Sequence, residues 1–255
     1  MKRLFALFLI FVLVLSGCGG KTPQTLDENH ALFSDLPVNT YDSAKFYADG
    51  EFLRYENALV GIDVSAHQGE IDWETVRADG VDFAIIRAAY RGYTNGGVSM
   101  DPYFLQNLNG AKNAGLQVGV YFFSQATSKE EAQEEADFLL QCLDGAALDF
   151  PVYYDWEPIE AEARTDDVSG ADVTVFAKAF CDSVKSAGYD TGVYFNESMG
   201  YLFLHLSELG DYEFWLAQYK NAPDFYYDFT IWQYSSDGEV AGIKTPVDLN
   251  LRFAK

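Results

Sequence analysis

Basic residues are scarce in this chain: 17 Lys and Arg stand against 39 Asp and Glu, for a formal charge of -22. A surface that acidic repels a phosphate backbone, which sets nucleic-acid binding aside. Histidine is rarer still, with three in 255 residues, and His67 has no second histidine near it, so a histidine-based metal centre is not expected. Cysteines also number three, too few for a disulfide framework. Cys142 and Cys181 sit among apolar residues in helical patterns and read as buried free thiols, with a pairing between them left open for a chain outside the cytoplasm. Long apolar runs are missing too: residues 4–15 give twelve in a row, short of the ~20 that span a bilayer as a helix. Aromatics, by contrast, are plentiful, with 17 Tyr and 20 Phe. Most such rings fill cores, but Tyr and Trp also offer flat faces with a polar edge, which suits stacking on sugars.

The twelve apolar residues follow Lys2 and Arg3 and end in Leu15-Ser16-Gly17-Cys18, the plan of a secretory leader. The ending LSGC resembles a bacterial lipobox, so residues 1–17 are expected to be a signal peptide and Cys18 the lipidated new N-terminus. Residues 18–58 are polar, with Pro23, Pro37 and no sustained period, and read as a tether and lead-in. The expectation is an exported protein held at a membrane by lipid and facing the cell wall, most simply as a monomer.

From residue 59 to the end, strand and helix signals alternate, as in parallel strands with crossover helices. Strands are expected at residues 59–65, 83–90, 118–124, 151–157, 191–196, 213–219, 229–234 and 247–251. Asp101-Pro102 opens a helix that Gly115 stops, Ser128 with Glu131 suggests a capping box, and a further helix runs from about residue 172 to 187. After Asn196 helical signals weaken. The fold class expected is α/β, an irregular TIM-like (β/α) barrel of eight strands with fewer helices in its C-terminal half. Its 197 residues are few for a regular barrel of ~250, in keeping with missing helices.

In such a barrel the working groups stand at the carboxyl ends of strands. The fourth strand ends in FPVYYDWEP, residues 150–158, where Pro158 terminates the ladder. Alternation along the strand puts Tyr153, Asp155 and Glu157 on one face. Two carboxylates held together disfavour double ionisation, so one can keep a proton near neutral pH and give it to a leaving oxygen, as glycoside cleavage requires. Other strands end in Asp63, Arg87, Tyr121, Tyr219, Gln233 and Asp248. Arg87 should point inward, where an unpaired charge is costly, and so should meet a carboxylate.

The segments GIDVSAHQG, IDW, FAIIRA, AGLQVGVYFF, YYDWEP, WLAQY, IWQYSSDGEV and VDLN occur in an order that resembles glycoside hydrolase family 25, the N-acetylmuramidase-type lysozymes, across residues 61–250. The resemblance implies cleavage of the β-1,4 bond between N-acetylmuramic acid and N-acetylglucosamine in peptidoglycan, without a cofactor or metal. It implies Glu157 as general acid and Asp155 as its partner, aiding the substrate's acetamido group or stabilising positive charge at the anomeric carbon. Asp63 and Asp248 match two flanking aspartates of the same cleft. Tyr121, Tyr153, Tyr194, Trp215, Tyr219 and Trp232 are candidates for a sugar platform, Trp232 and Tyr121 foremost, with Gln68 and Gln233 as further substrate-binding residues. Two alternatives stand beside this: an inactive lipid-anchored wall-binding protein, and a chitinase-like hydrolase of N-acetylglucosamine polymers. The chitinase pattern calls for aspartates two and five residues before Asp155, where this chain has Tyr153 and Phe150.

Overall fold

The computed structural model describes residues 35–254, so the expected leader at residues 1–17 and the lipidation residue Cys18 lie outside the described residues. A short hairpin comes first, β1 (Tyr47–Asp49) and β2 (Phe52–Arg54). The barrel strands follow as β3 (Leu59–Val64), β4 (Phe83–Arg91), β6 (Gln117–Ser124), β7 (Val152–Trp156), β8 (Thr191–Asn196), β9 (Glu213–Ala217), β10 (Ile231–Gly238) and β11 (Val247–Arg252). A ninth strand, β5 (Val98–Met100), pairs only with the end of β4. The eight close on themselves through pairing of β3 with both β4 and β11. They are the eight expected from the sequence.

Seven strands run parallel, and β11 lies antiparallel to both neighbours, β10 and β3. Only residues 239–246 join β10 to β11. That length makes a hairpin but is short of the ~10–12 residues of a parallel crossover, so the last strand must reverse. Its first residues therefore reach the rim where the other strands end.

Helices α1 (Trp73–Ala78), α2 (Phe104–Asn113), α3 (Lys129–Leu143) and α4 (Gly170–Ser186) link the early strands; α5 (Glu197–Leu202) is short, and residues 218–230 cross from β9 to β10 without one. Two expected caps differ in detail. Tyr103, not Asp101, occupies the N-cap of α2, and the buried Asp101 carboxylate accepts from both Tyr103 N and Arg87 Nε. Ser128 Oγ accepts from Glu131 N, but the Glu131 carboxylate turns to Thr127 and Arg164 instead of closing the box. Cys181 is buried, Cys142 half-buried, and both are free thiols.

Two cores result. One lies between the barrel and its helices; the other fills the barrel with Phe83, Ile85, Tyr121, Tyr153, Tyr194, Trp215, Ala217 and Ile231. Glycines low on the strands make room for these rings: a Cβ at Gly61 would stand 2.3 Å from the Phe83 ring, and one at Gly192 2.4 Å from that of Tyr153. The filled interior is thus a floor, and the site can only stand above it.

Residues 35–58 pack along the barrel wall. Leu36 and Phe52 are buried, Tyr41 stacks on Phe253 with ring centroids 4.0 Å apart, and Tyr41 OH donates to the Phe229 carbonyl at 2.8 Å.

Candidate active site

Inward positions recur every second residue on each strand, so the residue above each floor side chain belongs to the mouth. Above Gly61 stands Asp63, above Ile85 Arg87, above Gly119 Tyr121, above Tyr153 Asp155, above Gly192 Tyr194, and above Ile231 Gln233. On the reversed β11 the order inverts, and Asp248 is the mouth residue with Asn250 below it. Glu157 follows one residue past the end of β7.

Asp63 is 7% exposed, and its Oδ2 accepts from Gln233 Nε2 at 2.8 Å and Asn250 Nδ2 at 2.7 Å. Burial raises its pKa to about 6, the two donors opposing the rise. Asp155 is 6% exposed, and its Oδ1 is buried with no hydrogen-bond partner among the described residues. Burial first, then the Glu157 charge, hold Asp155 well above the usual carboxylate range. Glu157 is half-buried, so solvent and ligands reach it. Burial and the negative charge of Asp63 raise it to about 7. Asp248, also half-buried, is raised to about 9 by burial and by Asp63. Four carboxyls in mutual electrostatic contact cannot all ionise at neutral pH, and their protons belong to the group as a whole. The geometry delivers a retained proton beside an ionised neighbour, which is the equipment of a general acid.

The aromatic candidates separate sharply. Tyr121 and Tyr194 line the mouth, each 8% exposed, and both phenols are held neutral by burial. Tyr194 OH and Tyr219 OH both donate to Gln233 Oε1, at 3.0 and 3.1 Å, and Tyr219 is 57% exposed at the rim. Trp215, at 1% exposure, lies beneath them and donates from Nε1 to Asn250 Oδ1 at 2.9 Å.

Two expectations need correction. Trp232 is fully buried on the outer side of β10, edge-on to Phe46 and bonded through Nε1 to the Gln218 carbonyl, because it is one residue out of phase with the inward Gln233. It cannot be a sugar platform. Tyr153 faces inward but downward, its hydroxyl meeting the Glu213–Arg252 ion pair at the opposite end of the barrel. Gln68 closes the loop after β3, accepting from Ser65 N at 2.9 Å and donating to the Pro246 carbonyl at 3.3 Å, and is half-buried. Trp215 and Gln233 are likewise engaged, and support the groups above them.

Sequence reasoning gave no role to two residues. Asn250 holds Asp63, which the alternation Asp248-x-Asn250 could have suggested once β11 was known to reverse. Gln125, fully buried, donates from Nε2 to the Glu157 carbonyl at 2.8 Å and accepts from Thr165 Oγ1 at 3.0 Å, fixing the chain at the acid. Arg87 does meet a carboxylate, Asp101, at 2.8 Å.

The family model described as Glycosyl hydrolases family 25 matches residues 62–243. The autolytic lysozyme of Clostridium acetobutylicum is 29% identical over 193 residues, covering 75% of this chain and 55% of the relative. The bacterial lysozyme of Streptomyces coelicolor superposes with a TM-score of 0.63 at 27% identity, over 77% of this chain and 92% of that one. The modular autolysin LytC of Streptococcus pneumoniae, in complex with a synthetic peptidoglycan ligand, superposes with a TM-score of 0.66 at 25% identity, over 82% of this chain and 52% of that one. The chain thus spans about half the length of LytC and of the autolytic lysozyme.

Proposed function

The chain belongs to glycosyl hydrolase family 25, and from that premise we propose that it is a lysozyme, hydrolysing the β-1,4 bond between N-acetylmuramic acid and N-acetylglucosamine in peptidoglycan. The observation that carries the reading is Glu157: half-buried at the barrel mouth, raised to about 7, and adjoined by three further carboxyls. Glu157 protonates the leaving glycosidic oxygen and, once ionised, takes a proton from the incoming water. Asp155, whose buried Oδ1 has no partner among the described residues, stands beside Glu157 as the group that aids the substrate's acetamido group. Asp63, locked by Gln233 and Asn250, supplies the fixed negative charge that keeps Glu157 protonated. Tyr121, Tyr194 and Tyr219 line the sugar's path.

Purified residues 35–255 should clear a peptidoglycan suspension and release muramic-acid reducing ends. Glu157→Gln should stop this while the melting temperature is retained. Binding of the wall without any reducing ends would point instead to a glycan-binding protein.

We infer also that the protein is exported and lipid-anchored at Cys18, on the strength of the LSGC ending and a substrate that lies outside the membrane. A fatty-acid analogue fed to cells expressing the full chain should label it, and Cys18→Ala should remove the label; an unlabelled parent chain would overturn the anchor.

A further inference from the structure

Beside the carboxyl cluster lies a cavity of about 490 Å³ lined by His67, Arg87, Tyr90, Tyr93, Asn95 and Phe123. It adjoins the chemistry directly: Phe123 on β6 is the register partner of Tyr90 on one side and of Asp155 on the other. One strand spacing, ~4.8 Å, therefore separates its floor from the acid-bearing strand.

The two arginines near this cavity are used in opposite ways. Arg91 is spent: its guanidinium bonds the carboxylates of Glu134 and Glu135, both at 2.7 Å, and the carbonyls of Gly96 and Glu131. Arg87 is not. Its Nε is held by the buried Asp101 at 2.8 Å, and Asp101 is itself fixed by Ala66 N and Tyr103 N. The guanidinium lies over the Tyr90 ring, 5.3 Å from its centroid. Among the described residues no acceptor takes the hydrogens of its two Nη atoms, and the side chain is 13% exposed, so they open on the cavity. A fork held at one edge and bare at the other is preorganised for a planar anion. Tyr90, Tyr93 and Phe123 add apolar walls. The Arg87 charge also acts on Asp155, opposing the rise there, so this one side chain joins the cavity to the carboxyl cluster.

We propose that this cavity receives the carboxylate-bearing substituent of the muramoyl residue seated at the carboxyl cluster, with the Arg87 Nη groups as its donors. The inference rests on the lysozyme reading and narrows its substrate. Two sources carry that chemistry: the free lactyl carboxylate of peptide-stripped glycan, and a carboxylate of the attached stem peptide.

The test compares kcat and KM of the full-length parent with those of Arg87→Met/Asp101→Asn, in which neither buried charge is left alone. Three glycans are used: one with stem peptides, one stripped to free lactyl groups, and the stripped one with its lactyl carboxylates converted to methyl amides. The double variant should raise KM about 10-fold to 100-fold on glycans that carry the recognised anion and less than about 2-fold on the amidated one, any change in kcat from the lost charge near Asp155 being common to all three. A rise in KM confined to the stripped glycan identifies the lactyl group, and one confined to the first identifies the peptide. An equal rise on all three, or none on any, overturns the proposal. Tyr93→Ala, at an exposed wall position, leaves the Arg87–Asp101 pair intact and should raise KM for the anionic glycans alone; an equal effect on the amidated glycan counts against the cavity. A parent enzyme inactive on every glycan would refute the lysozyme reading itself.

Discussion

Asp248 lies directly across from Asp63 in the antiparallel pairing of β11 with β3. Like charges so placed repel, and here the pair is also half or fully buried. Asn250, two residues on and one layer lower, donates to Asp63 and not to Asp248. The result is a division of labour between chemically identical groups: Asp63 is raised only to about 6, and Asp248 to about 9.

That asymmetry predicts a cost in stability. Because Asp248 holds its proton more tightly folded than unfolded, its contribution is favourable below about pH 4 and is lost as pH rises toward about 9. Asp248→Asn should therefore be more stable than the parent at pH 8, by more than ~1 kcal/mol, with the difference closing near pH 4. Urea unfolding at the two pH values decides it.

Activity should show a narrow optimum. In the proposed mechanism Glu157 carries its proton and Asp63 is ionised, so turnover should fall above about 7 and below about 6. Reducing-end release from soluble glycan across pH 4 to 9 measures both limbs; an optimum above pH 8 would contradict the assignment of Glu157 as acid.

Gln233 stands between the carboxylates and the tyrosines, donating to Asp63 and accepting from Tyr194 and Tyr219. In Gln233→Ala, Asp63 keeps one donor of two and its value rises. The acid limb of the pH profile should move to higher pH and kcat should fall by about 10-fold or more, as for loss of a charge-assisted hydrogen bond. A fall in kcat with the limb unmoved would assign Gln233 to substrate contact instead.

The lead-in is part of the fold's stability. Cutting the chain to residues 59–255 would expose the surfaces covered by Leu36, Tyr41 and Phe52. At ~1.5–3 kcal/mol per buried apolar side chain, and ~2–4 °C per kcal/mol for a domain of this size, the melting temperature should drop by about 6 °C or more relative to residues 35–255. Scanning calorimetry of the two fragments tests this.

Strand positions, the face shared by Asp155 and Glu157, and the need of Arg87 for a carboxylate were legible along the chain, because alternation and the cost of an unpaired buried charge are local rules. The eight-strand barrel followed from the count and order of strands. Phase errors of a single residue were not visible: Trp232 and Gln233 are neighbours in one strand, yet one packs on Phe46 outside and the other holds Asp63 inside. Nor did alternation tell which end of the barrel a side chain serves, and so Tyr153, inward like Asp155, points to the wrong rim. The sequence alone supplied the carboxyls, the hydrophobic periods and the family likeness. Tertiary structure decided which carboxyl stays ionised, since that depends on donors arriving from strands up to 187 positions away, and on a reversed last strand that brings Asp248 to the mouth.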